Sequence, residues 1–77
     1  MWNMKDRIKS LLEENLPTVD LESDFLFSEM DSIAMTTAMM ILSEEFKIEL
    51  TSEDATPKNF MSLDSLTSLV KSKLKEK

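Results

Sequence analysis

In the stretch "EMDSIAMTTAMMIL", Glu29 to Leu42, Ser32 directly follows Asp31 where a polar loop gives way to a Met-rich helical pattern. A serine there could act as a nucleophile, cap a helix, or accept a covalent group. Nucleophilic catalysis needs a base within hydrogen-bond reach. The chain has no His and no Cys, and Asp31 could at best orient the hydroxyl, because adjacent residues on a helix do not face each other. Capping suits Asp31 or Ser32 equally, since both types are favoured at the N-cap. Attachment would use a different property. A hydroxyl at the start of a helix lies beside outward-pointing N–H groups, where the helix dipole favours a phosphate. The Asp-Ser pair alone leaves capping and attachment open.

Other chemistry is harder to place. The chain lacks Gly altogether, so neither a P-loop nor a dinucleotide fingerprint can form. Without His or Cys, zinc would have only carboxylates as ligands, and disulfides are excluded. Asp20, Glu22, Asp24 and Asp31 match positions 1, 3, 5 and 12 of an EF-hand-length loop. Position 6, however, is Phe25 where that loop needs Gly, and position 12 is Asp rather than the longer Glu. A divalent-cation site in this acidic loop is therefore the weakest reading, and a free-standing enzyme is not expected.

The elements that must position Ser32 have to come from 77 residues, which predicts a single domain over residues 1–77 with a modest core. No apolar run approaches the roughly 20 residues that span a bilayer, and the N-terminus lacks a signal-peptide core. A soluble, cytoplasmic protein with no membrane partner is expected. Residues 20–54 hold ten acids against the single base Lys47, a balance of −9 within a chain of net charge −6. Such a surface repels phosphate backbones, so nucleic acid is not an expected partner, whereas a protein with a basic patch is favoured.

Pro17 and Pro57 punctuate four predicted helical segments. The first runs from about Asn3 to Asn15, with Asn3 as N-cap and Met4, Ile8, Leu11 and Leu12 as one apolar stripe. Residues 17–30 form a long acidic loop, and Val19, Leu21, Phe25, Leu26 and Phe27 are expected to pack it back over the helices. The second helix runs from about Ser32 to Phe46. Its core side is predicted to be Met35, Ala38, Met39, Leu42 and Phe46. Ile33, Thr36, Thr37, Met40, Ser43 and Glu44 then fall on the opposite side. Ile33 and Met40 lie two turns apart there, either as a docking face or as apolar residues covered by the loop or tolerated singly. Ile48 and Leu50 should plug the core. Thr56 and Pro57 predict a short third helix through about Phe60. The last helix starts near Ser62 with Leu63, Leu66, Val70 and Leu74 inward and Leu69 beside them. The predicted fold is thus all-α: a small bundle of three longer helices and one short one.

Taken in order, "MDSI" at 30–33, a helix closing as "LSEEFKIEL" at 42–50, and "SEDATPKNFMSLDSLTSLV" at 52–70 resemble an acyl carrier protein over nearly the whole chain. By that resemblance Ser32 would carry a 4'-phosphopantetheine arm, derived from coenzyme A and added by a separate phosphopantetheinyl transferase, with Asp31 helping the transferase recognise the site. The arm's thiol would hold an acyl or aminoacyl cargo as a thioester, so the reactive sulfur belongs to the cofactor. The resemblance also implies a monomer serving fatty-acid or secondary-metabolite synthesis. Its face of Asp31, Ile33, Thr36, Met40 and Glu44 would be read by the transferase and by cargo-loading and cargo-processing enzymes with basic docking patches. The sequence departs from the family twice. Glu29 stands where Gly is usual, which implies a stiffer or differently shaped turn before Ser32. "AMTTAMM" is less acidic than in fatty-acid carriers, which suggests a specialised stand-alone carrier. Two rivals need no prosthetic group: a helical adaptor using the Ile33/Met40 face, and the divalent-cation loop.

Overall fold

In the computed structural model, which describes residues 3–76, three α-helices pack against one another: α1 (Met4–Asn15), α2 (Ser32–Phe46) and α3 (Leu63–Lys75). Each begins where the sequence supplies an oxygen for an orphan N–H. Asn3 Oδ1 accepts from the Asp6 N–H at 2.8 Å, Asp31 Oδ1 from Ala34 at 2.8 Å, and Ser62 Oγ from Ser65 at 3.3 Å. Among the described residues no strand forms, and no helix is long and apolar enough to cross a membrane.

The core gathers Ile8 and Leu12 of α1, Ala38, Leu42 and Phe46 of α2, and Leu63, Leu66 and Val70 of α3. Met35, Met39, Leu11 and Leu74 are half-buried against it. Residues between the helices complete it. Leu21, Leu26, Met30, Ile48 and Phe60 are buried, with Val19, Phe27 and Leu50 packed alongside. The apolar residues of the long acidic loop do therefore fold back, with one exception. Phe25 faces outward at 42% exposure, its ring stacked on Phe27 with centroids 6.1 Å apart.

The expected short helix at 56–60 does not form. Its cap does: Thr56 Oγ1 accepts from the Asn59 N–H at 3.1 Å, and the Phe60 N–H donates to the Thr56 carbonyl at 3.0 Å. That is one turn, and it ends there because the next residues are committed elsewhere. Phe60 is fully buried, the Met61 carbonyl accepts from the Leu26 N–H at 2.8 Å, and Ser62 is extended as the cap of α3. Helix propagation repays its nucleation only over further residues, and none remain. Two short 3₁₀ segments instead occupy the connections, at Leu26–Glu29 and Ser52–Asp54.

Two contacts fix the C-terminal end of α2. The Arg7 guanidinium of α1 lies 5.0 Å above the Phe46 ring and also pairs with Glu45. Lys47 then terminates the helix in the left-handed region (φ 56°, ψ 47°), its N–H donating to the Ser43 carbonyl. A non-Gly residue pays about 1 kcal/mol or more for that conformation. Gly or Asn would adopt it at lower cost, and the sequence has Lys there. The turn delivers Ile48 straight into the core, its N–H also donating to Ser43 at 3.1 Å.

Candidate functional site

The stretch before α2 is ordered by backbone geometry rather than by glycine. Leu26–Glu29 wind as a 3₁₀ turn, Leu26 and Met30 are buried at either end, and the Ser28 hydroxyl donates back to the Phe25 carbonyl at 2.9 Å. Lys47 is the only non-Gly residue with positive φ among the described residues. The position held by Glu29 therefore does not need glycine's freedom here. The turn takes the ordinary right-handed 3₁₀ form, and the Glu29 carboxylate is left exposed.

Asp31, not Ser32, is the N-cap of α2. Its backbone is extended (φ −85°, ψ −178°), its side chain takes the Ala34 N–H, and its carbonyl takes the Met35 N–H at 2.9 Å. Of the two cap candidates that the sequence leaves open, the structure uses Asp31. Ser32 is the first helical residue, its side chain is exposed, and among the described residues no hydrogen bond engages Oγ. The physical reason is reach: a cap side chain must come from the extended residue preceding the first turn to bend back onto the third N–H. The Ser32 hydroxyl is an exposed group at the positive end of a 15-residue helix.

From Ser32 an exposed stripe runs down α2 through Ile33, Thr36, Met40 and Glu44. Ile33 is 78% exposed and Met40 54%, so the loop does not cover them. Their spacing of three and four residues holds the stripe to one face. From Ile33 to Glu44 it spans about 16 Å at 1.5 Å per residue. Thr37 and Ser43, expected on the same side, are half-buried at its margin. From Glu29 to Glu44 the exposed charges on this side are acidic, and Lys47 follows at the C-cap. Glu29, Asp31 and Glu44 are exposed and make no ion pair among the described residues, whereas Glu45, one position round, is held by Arg7.

The structure does not assemble the acidic residues of the 20–31 loop into a cage. Asp20 Oδ1 accepts from the Glu22 N–H at 3.1 Å, Glu22 pairs with Lys9 at 3.2 Å, and Asp31 caps α2. No three metal-ligating side chains converge among the described residues. The Lys9–Glu22 pair raises the Lys9 pKa above its ordinary 10.5, through the hydrogen bond and charge of Glu22 and the further charges of Glu13 and Asp6.

The ties that hold the connection between α2 and α3 are not legible in the sequence. Lys73 of α3 pairs with Asp54 at 3.4 Å, and Asp54 accepts the Thr51 N–H while its carbonyl takes the Asn59 amide. A lysine near a helix C-terminus reads simply as dipole chemistry, and nothing in its spacing points to Asp54 nineteen residues earlier.

Compared with known proteins, residues 4–71 match a family model described as a phosphopantetheine attachment site. Searches of curated proteins and of solved structures each returned no match.

Proposed function

Because this chain belongs to the phosphopantetheine attachment-site family, whose domains are carriers modified with 4'-phosphopantetheine, we propose that Ser32 is its attachment residue and that the α2 stripe is its docking face. The observation that carries this reading is the division of labour at the start of α2. Asp31 supplies the cap, which leaves the exposed Ser32 hydroxyl with no structural duty. The backbone N–H groups of the first turn lie beside it, suited to the negative charge of a phosphodiester.

When bound, the arm supplies a thiol that holds cargo as a thioester. The chain's own part in loading is small and specific. Ser32 Oγ has to lose its proton as its bond to the coenzyme A phosphorus forms and the pyrophosphate bond breaks, the adenosine half leaving as adenosine 3',5'-bisphosphate. Asp31, held by the Ala34 N–H, is poorly placed to take it, and the chain contains no His. The base therefore belongs to the transferase, and the chain's task is to present the hydroxyl. Ile33 and Met40 supply apolar contact, while Glu29, Asp31 and Glu44 meet cationic residues on the transferase and on the enzymes that load and process cargo. The cargo in this reading is an acyl or aminoacyl group, and the sparse charge along the front of α2 suits a specialised carrier.

The test is site assignment. Coenzyme A and a phosphopantetheinyl transferase are supplied to the chain, and the product is fragmented in a mass spectrometer. The group is expected on Ser32. Its appearance on another serine would overturn the assignment.

A further inference from the structure

Of the chain's seven methionines, those described range from buried to open. Met30 is 7% exposed; Met4, Met35 and Met39 are half-buried against the core; Met61 is 42% exposed and Met40 54%. Met40 is thus the most exposed methionine for which the structure gives a value, and it alone lies in the stripe between Ile33 and Glu44. The chain has no cysteine to react ahead of it. Thioether oxidation follows access to sulfur, and it turns an apolar, flexible side chain into a polar one.

We propose that Met40 is a redox-modification site at which peroxide converts the docking face from a competent to a weakened form. The proposal rests on the docking role given to the stripe above. In the step, the Met40 sulfur lone pair attacks one oxygen of hydrogen peroxide. The S–O bond forms as the O–O bond breaks, and the departing hydroxide is neutralised to water by the proton left on the transferred oxygen. Sulfur is oxidised by two electrons and peroxide is reduced by two. The sulfoxide oxygen sits where Met40 would meet an apolar partner surface, so docking must bury a strong acceptor without a donor. Met61, outside α2 and bonded through its carbonyl to the Leu26 N–H, undergoes the same chemistry and serves as the internal control.

The experiment treats the full apo chain with hydrogen peroxide, removes the oxidant, and measures kcat/KM for loading by a phosphopantetheinyl transferase, with peptide mapping of each sulfoxide. Met40 is expected to oxidise earlier than Met35 and Met39, with Met30 last. Chains carrying the Met40 sulfoxide are expected to lose on the order of tenfold in kcat/KM, the scale of one apolar side chain's contact. Methionine sulfoxide reductase should restore the loss. Met61→Leu should show the same oxidative loss as the wild type. Met40→Leu, compared with its own untreated rate, should show almost none, which separates docking from any damage at half-buried methionines. Unchanged loading by chains bearing the Met40 sulfoxide, or an equal loss in Met40→Leu, overturns the proposal alone. A chain that is not loaded before oxidation overturns the docking role and this proposal with it.

Discussion

The Asp31 carboxylate receives the Ala34 N–H at 2.8 Å, and that single bond assigns capping to one member of the Asp-Ser pair and frees the other. Stability should therefore depend on Asp31 and not on Ser32, whereas loading depends on both. Asp31→Ala is expected to cost about 1 kcal/mol, and Asp31→Asn almost nothing, because Asn caps as well as Asp. Both should slow loading by a transferase with a basic docking surface, since both remove the charge. Urea unfolding and loading kinetics on the same variants test this. An Asp31→Asn chain loaded at the wild-type rate would contradict the recognition role of the charge.

The end of α2 should depend on Arg7 more than on Glu45. Arg7→Ala loses both the cation–π contact with Phe46 and the ion pair, together about 1 kcal/mol. Glu45→Gln loses only the half-exposed pair and should cost a few tenths of a kcal/mol. Thermal unfolding resolves the difference, since 1 kcal/mol is worth about 4–8 °C in a domain of this size.

Lys47 offers the opposite sign. Its left-handed backbone is tolerated rather than favoured, so Lys47→Gly is expected to raise stability by about 0.5–1 kcal/mol, less the entropy a glycine adds to the unfolded chain. Chemical denaturation measures it, and a destabilised variant would mean that the Lys47 side chain contributes contacts that outweigh the strain.

The Lys9–Glu22 pair gives a pH dependence of known direction. A lysine pKa raised in the folded state contributes stability that is fully present below its ordinary value near 10.5 and is lost as pH rises through the folded value. Lys9→Met should flatten the alkaline limb of the stability curve in this window. Both groups are solvent-exposed enough that added salt should shrink the effect.

The parts legible in the sequence were those governed by periodicity and by caps. Ile8, Leu12, Leu42, Leu66 and Val70 fall where helical spacing puts them, and Asn3 and Ser62 mark the helix starts within a residue. The exposed stripe was legible for the same reason: Ile33 and Met40 are apolar residues that the core side of α2 has no use for. The connections were not legible, because their structure is decided by tertiary bonds. Thr56 caps a turn that cannot lengthen once Phe60 is drawn into the core and Met61 is bonded to Leu26. Phe25 has the same composition signal as Phe27 yet stays exposed, its ring stacked on the outer side of the half-buried Phe27 at the entry to the 3₁₀ turn. At the site, the choice of Asp31 over Ser32 as cap needed one residue's precision in the helix start, which periodicity does not provide. Glu29 resembled a departure because the family's glycine suggests a special backbone, whereas the turn here has none.

The most direct measurement is the intact mass of the apo chain and of Ser32→Ala after incubation with coenzyme A and a phosphopantetheinyl transferase, with the unfolding midpoint of each recorded alongside. The wild type is expected to gain one phosphopantetheine and Ser32→Ala none. The two should unfold within about 0.5 kcal/mol of each other, because the side chain is exposed and makes no structural bond. Addition that survives in Ser32→Ala would contradict the attachment role of Ser32, as would a wild-type chain that several transferases leave unmodified.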